Sequence, residues 1–392
     1  MNFDGAQIAA ATGGTLVRDA SAGPLGTDTR VPLPGGWFVA LVGERFDAHD
    51  KLASLQDAVG LVVDRDVDTE LGWVKVDDTT VALQDLGRAA RDRLTGPVVG
   101  LTGSAGKTTT RALIALALSP LGAVHQTTGN LNNHLGVPMT LVAAPEAAKA
   151  TVVEMGTSGP GEIAVLADIA RPDIRLVLNI GASHLEELGG LDGVAREKGA
   201  LYDMARPGDA CCVNLDDPRV AAMALPEGVR RITFGRGDEA DVQLLSAQVD
   251  PDTLHTQATL RVGAALLALD LPAPGVHLAH NAAAAVAVAL AAGVDASEAV
   301  EALERYEPVG MRMKIERLPG GLTAFNDAYN ANPSSMEASL RMFAGLPGRR
   351  VAVLGDMLEL GGESDRFHDE IAELAVRLRL DRVLLVGPRM SR

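Results

Sequence analysis

Between the apolar run Val98–Leu101 and a predicted helix lies Gly103-Ser104-Ala105-Gly106-Lys107-Thr108-Thr109. A glycine-rich turn at such a junction aims several backbone N–H groups and a helix N-terminus at one point, where they hold phosphate oxygens. Lys107 would add charge against the outer phosphates of a nucleotide, and Thr108 a hydroxyl for Mg²⁺. The spacing is GxxGKT, shorter than the full GxxxxGK[ST] because position 101 is Leu. With other flanks it would read as an ordinary glycine turn. Glu154 ends the next apolar run, and a carboxylate at a strand's C-terminal end beside a nucleotide loop sits where a Mg²⁺ ligand belongs. His184 and Glu186 follow a third run, Arg175–Gly181. Alone, His184 would be a structural hydrogen-bonding histidine and Glu154 a solvated strand end. Three successive strand ends offering Thr108, Glu154 and His184 converge on one crevice.

The elements that must position these residues read as α/β. From Met1 to about Arg88, short strands such as Trp37–Leu41 and Gly60–Asp64 alternate with Gly/Pro turns, a small α/β module. From 89 to 310, apolar strands are followed by helices, and continuous Val/Ile/Leu runs require strands covered on both faces. A doubly wound, mainly parallel sheet follows. Residues 241–271 alternate apolar and polar positions and predict an antiparallel edge. The alanine-rich stretch Asn281–Ala292 predicts a buried helix. From 311 to 392 a third, Rossmann-like unit is expected, with strands near Met313–Arg317, Leu322–Asn326, Arg350–Leu354 and Arg382–Val386.

A chain of 392 residues is long enough for two or three cores. Its formal net charge of −16, with no long Lys/Arg run, argues against nucleic acid or an anionic membrane as a partner. The only cysteines, Cys211 and Cys212, are adjacent, so their side chains would point to opposite faces of a strand and form no disulfide. With no signal-peptide pattern and no apolar run of spanning length, a cytoplasmic chain is expected.

Longer motifs carry a family resemblance over nearly the whole chain. Thr102–Thr110 (TGSAGKTTT), Gly129–Leu141, Glu154–Ile163, Ser183–Gly189 with Arg196–Leu201, Asn326–Met336 (NDAYNANPSSM) and Val353–Gly361 resemble the Mur ligases, within them the D-alanyl-D-alanine-adding kind. The resemblance implies a three-domain enzyme: 1–88 binding the UDP substrate, 89–310 binding ATP, 311–392 binding the amine. It would join D-alanyl-D-alanine to UDP-MurNAc-tripeptide through an acyl phosphate, in peptidoglycan precursor synthesis. It also implies that Gly103–Thr109 hold the phosphates, that Thr108 and Glu154 hold one Mg²⁺, and that His184 and Lys198 serve a second. Lys198 would first react with CO₂ to give a carbamate, although the residue taken by itself reads as a solvated helix lysine. Asn281 would face adenine, and Arg312 and Asp327 would reach the nucleotide. Thr29 and Arg30 would lie at the UDP part, while Asn130, Asn133, Asn330 and Asn332 are candidates for substrate contacts.

Single positions depart from the family pattern: Asp47-Ala48-His49 replaces DGH, Asn281 follows His280 in an altered HNxxN, and Gly199-Ala200 replaces Gly-Glu. The resemblance also implies a C-terminal domain that continues past Arg392. The third unit is therefore expected to be incomplete, and either completed by another chain or least protected, in an otherwise monomeric enzyme. A plain P-loop ATPase or kinase, a non-catalytic nucleotide-binding protein, and a ligase for another carboxylate and amine use the same loop.

Overall fold

A computed structural model describes residues 1–55 and 57–392. At its centre is a nine-stranded sheet. Its strand order is Ala265–Leu271, Thr256–Val262, Val242–Val249, Arg230–Gly235, Ala210–Asn214, Ile174–Val177, Val98–Thr102, Ala150–Glu154, Val124–Gln126. Pairing is parallel from Val124–Gln126 through to the start of Val242–Val249, and antiparallel across the last two strands. The chain reverses direction of winding at Val98–Thr102, whose neighbours are the strands ending in Glu154 and Val177. A crevice opens at such a switch point, beyond the strands' C-terminal ends.

The alternation of side chains along the strands divides the core in two. Val99, Leu101, Val152, Leu176 and Cys212 face the helices Lys107–Ala117, Val276–Ala291 and Ala296–Leu303. Val98, Val153, Val177, Cys211 and Val213 face the helices Thr79–Arg93, Gly136–Ala143, Glu162–Ala170 and Leu191–Asp203. Both cysteines are buried, unpaired and on opposite faces. The helix Val276–Ala291 is alanine-rich because it packs close against the sheet and the phosphate-loop helix, where larger side chains would not fit.

The N-terminal unit is a five-stranded sheet ordered Thr15–Arg18, Gly72–Lys75, Gly60–Val63, Trp37–Val39, Leu25–Gly26, parallel except at its first pair. The limit expected at residue 88 falls inside the helix Thr79–Arg93. That helix packs on Gly5–Thr12 and, with Leu83, Leu86 and Ala90, on the central unit. It packs on both units.

The third unit carries an antiparallel hairpin, Lys314–Leu318 with Leu322–Asn326, and a separate parallel pair, Val351–Gly355 with Arg382–Val386. The helices Pro333–Ala344 and Ser364–Arg377 pack on the parallel pair around Leu340, Ala352, Leu354, Ile371 and Leu374. A second apolar cluster joins this unit to the centre. Leu254, at the turn between two antiparallel strands of the central sheet, is buried against Met313, Met342 and Leu346. Leu254 has φ 61 and Met313 φ 53, left-handed conformations that cost a non-glycine residue energy and persist because the buried contact holds them. No helix among the described residues is long and apolar enough to cross a membrane.

Candidate active site

The phosphate loop is shaped by its glycines and pinned by its neighbour. Gly106 has φ 80 and caps the helix Lys107–Ala117, and a Cβ there would lie 3.0 Å from Leu178. Asn179 clasps the loop: its Oδ1 accepts from the Ala105 N–H at 2.9 Å and its Nδ2 donates to the Ala105 carbonyl at 3.0 Å. The Ser104 hydroxyl exchanges hydrogen bonds with Gly181. Lys107 Nζ donates to the Gly103 carbonyl at 2.8 Å, curling over the loop. Loss of water lowers the Lys107 pKa, opposed by the Glu154 carboxylate and reinforced by Arg312.

Glu154 and Thr108 meet as the strand order requires, with Thr108 Oγ1 3.3 Å from Glu154 Oε1. Asn132 Nδ2 donates to the same oxygen at 2.9 Å, and Arg111 Nη1 donates to Oε2 at 3.1 Å. A hydroxyl and a carboxylate oxygen side by side at a phosphate loop are hard donors, the kind Mg²⁺ takes. They fit that ion. No group of three or more His, Cys, Asp or Glu side chains suited to a metal occurs among the described residues, so a second ion would depend on a further oxygen donor.

Lys198 lies deeper than its sequence setting suggests. The expectation of a solvated lysine is wrong: it is 1% exposed, within the helix Leu191–Asp203. The reason lies in its neighbour. Glu197 accepts from the backbone N–H groups of Gly161 and Ile163 at the start of the helix Glu162–Ala170, at 2.6 and 2.7 Å, which clamps this helix face inward. Desolvation, with the Lys107 charge adding to it, pushes the Lys198 pKa down to about 7. Its amine is therefore about half uncharged near neutrality, and the uncharged form is the one that can attack CO₂. His184 follows its strand in a left-handed conformation, φ 50, and its Nδ1 lies 3.1 Å from Glu359 Oε2 in the third unit.

A cavity of about 220 Å³ lies between the loop and the third unit. Ala105, Gly106, Thr109, Asn179, His277 and Asn281 line one wall, and Arg312, Asp327 and Ser334 line the other. Asn281, expected to face adenine, points into it, while His280 turns toward Asp216, with Nε2 at 3.2 Å, and packs edge-on against Phe234. Arg312 lies over the Tyr329 ring at 4.3 Å. Asp327 accepts from the Met313 N–H and the Ser339 hydroxyl.

Other expected residues have local structural work. Asn332 caps the helix Pro333–Ala344, accepting from the Ser335 N–H at 2.9 Å, and Asn133 accepts from the N–H groups of Leu135 and Gly136 at the start of the helix Gly136–Ala143. Asn130 and Asn330 are exposed. Arg30 is exposed and paired with Asp28, and Thr29 sits in the same turn. Sequence reasoning missed Asn179, Asn132 and Arg111. Asn179 lies near the C-terminal end of the predicted run Arg175–Gly181, the one signal that would have singled it out.

Comparison with known proteins follows the same geometry. Residues 101–289 match the Mur ligase middle domain, and residues 311–392 match the family's glutamate ligase domain. The UDP-N-acetylmuramoyl-tripeptide--D-alanyl-D-alanine ligase of Escherichia coli is 37% identical over 363 residues, 92% of this chain and 80% of that protein. The crystal structure of MurF from Acinetobacter baumannii superposes with a TM-score of 0.92 at 33% identity, covering all of this chain and 87% of that one. MurF from Thermotoga maritima, solved with ADP, superposes with a TM-score of 0.81 at 27% identity, over 93% of this chain and 88% of that one.

Proposed function

The chain belongs to the Mur ligase family, and on that premise we propose that it joins D-alanyl-D-alanine to the terminal carboxylate of UDP-MurNAc-tripeptide, forming ADP and phosphate. The observation that carries this reading is the phosphate loop facing, across one cavity, the Asn326–Ser339 segment of the third unit, in a fold that superposes over all of this chain on 87% of a MurF structure.

A carboxylate resists attack by an amine until one of its oxygens becomes a leaving group. In the first step that oxygen attacks the γ-phosphorus of ATP, the bond to the β-phosphate oxygen breaks, and ADP leaves behind an acyl phosphate. The backbone N–H groups of Gly103–Thr109 and the Lys107 ammonium hold the phosphate oxygens as negative charge gathers between the two anions. Thr108 with Glu154 would hold one Mg²⁺, and His184 with carbamoylated Lys198 a second; bound there, the ions neutralise phosphate charge and orient the reacting oxygens. The Lys198 amine adds to the carbon of CO₂ and gives up a proton, turning a cation into an anionic oxygen donor. In the second step the free amine of the dipeptide attacks the carbonyl carbon, loses a proton, and the tetrahedral intermediate expels phosphate. No enzyme nucleophile is required.

Arg312, Asp327 and Asn281 line both sides of the cavity and would frame the nucleotide there, and closing of the third unit on the central one would bring all three substrates together. Thr29, Arg30 and the exposed Asn130 and Asn330 are assigned to the UDP-peptide and dipeptide ends. We place the reaction in the cytoplasm, where ATP and the UDP-linked precursor are made, and assign a monomer. The test is phosphate release with a panel of UDP-MurNAc-peptides and amines. Release that needs both a UDP-MurNAc-tripeptide and D-alanyl-D-alanine supports the reading; release with ATP alone overturns it.

A further inference from the structure

Arg111 stands one turn after Lys107 on the phosphate-loop helix and is 4% exposed. Its guanidinium is shared among three partners from three different segments. Nη1 reaches Glu154 Oε2 at 3.1 Å and the Gly129 carbonyl at 3.2 Å, and Nε reaches Gln126 Oε1 at 3.2 Å. Gln126 ends the edge strand Val124–Gln126. Gly129, at φ 58, turns the loop that follows it and precedes the exposed Asn130. Asn132, at the far end of that loop, donates to the other oxygen of the same carboxylate. The loop is thus fastened at both ends to Glu154, once through Arg111 and once through Asn132.

We propose that Arg111 is a positioning residue that locks the substrate-facing loop 127–133 to Glu154 and the phosphate-loop helix, so that the carboxylate-substrate and nucleotide sites are held as one unit. The inference rests on the reading of loop 127–133 as part of the UDP-peptide site. A planar fork with five donors can bind three acceptors at once, whereas an ammonium at this position keeps the charge beside Glu154 but cannot span Gln126 and Gly129. Loss of the fork frees the loop, and the ordering of that loop must then be supplied when the substrate binds.

The experiment measures UDP-MurNAc-tripeptide binding by calorimetry in metal-free, nucleotide-free protein, together with ADP binding in Mg²⁺, for wild type, Arg111→Lys and Gln126→Leu. Arg111→Lys is expected to bind the UDP-peptide about tenfold more weakly, equivalent to about 1.4 kcal/mol, with ADP affinity within about twofold of wild type. Gln126→Leu, which removes one of the three contacts, should weaken UDP-peptide binding by a smaller factor. Under turnover, KM for the UDP-peptide should rise in Arg111→Lys while kcat changes less, a split that general destabilisation would not produce. UDP-peptide binding in Arg111→Lys equal to wild type would overturn the proposal, as would an equal loss for both ligands. Failure of the wild-type protein to bind the UDP-peptide would instead count against the substrate reading.

Discussion

Replacing Lys198 by Met should make the protein more stable and inactive at once. The fall in the Lys198 pKa from 10.5 to about 7, at about 1.4 kcal/mol per tenfold change in proton affinity, makes the buried ammonium about 5 kcal/mol less stable than a solvated one. The sign follows from proton counting. The unfolded lysine keeps its proton up to its ordinary pKa, and the folded one only to about 7, so between those values the unfolded state holds more protons and stability rises with pH. Below that window both states are charged and the penalty is full; above it both are neutral and the penalty is gone. Methionine has nearly the same length and carries no charge, so the variant should lack this pH dependence. Urea unfolding in metal-free buffer purged of CO₂, followed by a probe in the central unit, should show Lys198→Met ahead by up to about 5 kcal/mol near pH 6 and about 3 near pH 8.5. Parallel pH profiles for the two proteins, or a variant less stable near pH 6, would refute the argument that Lys198 is a desolvated amine.

Lys107→Ala should leave the far-UV spectrum and unfolding midpoint close to wild type but reduce turnover to a few per cent or less, since it removes charge at the phosphates and not packing. Lys198→Ala should be inactive and partly rescued by short-chain carboxylic acids, which supply the missing anionic oxygen; activity like wild type would show that the residue has no such role. Asn332→Ala should cost about 1 kcal/mol through loss of a helix cap, seen as faster hydrogen exchange at the start of Pro333–Ala344 with Glu162–Ala170 unchanged. Leu254→Ala should loosen the joint between the central and third units, seen as faster exchange in Met313–Ile315 while the central strands stay protected.

Much of the site was legible because its signals are local. A glycine turn between a strand and a helix, a carboxylate at a strand end and a histidine after the next strand need only neighbouring residues to be read, and the sheet order then brings Thr108 and Glu154 together. What local sequence hides is burial set by the packing of distant segments. Lys198 looks like a surface lysine until Glu197 is seen clamping its helix to the start of another. Arg111 looks like a helix-surface arginine until the edge strand and the strand ending in Glu154 close around it. Asn332 and Asn133 carry a structural duty that the motifs did not announce, since each side-chain oxygen accepts from an N–H group at the start of a helix. The pattern of strands and helices changes near residue 88, while the helix Thr79–Arg93 runs through that point without a break.

The most direct test of the account is the fate of the substrate carboxylate oxygen. UDP-MurNAc-tripeptide labelled with oxygen-18 in its terminal carboxylate is incubated with ATP, Mg²⁺ and D-alanyl-D-alanine, and the released phosphate is analysed by mass spectrometry. The account predicts one labelled oxygen in each phosphate released, because that oxygen bonds to phosphorus before the amine displaces it. Phosphate that carries no label, formed while the amide product accumulates or while no product forms at all, would contradict it.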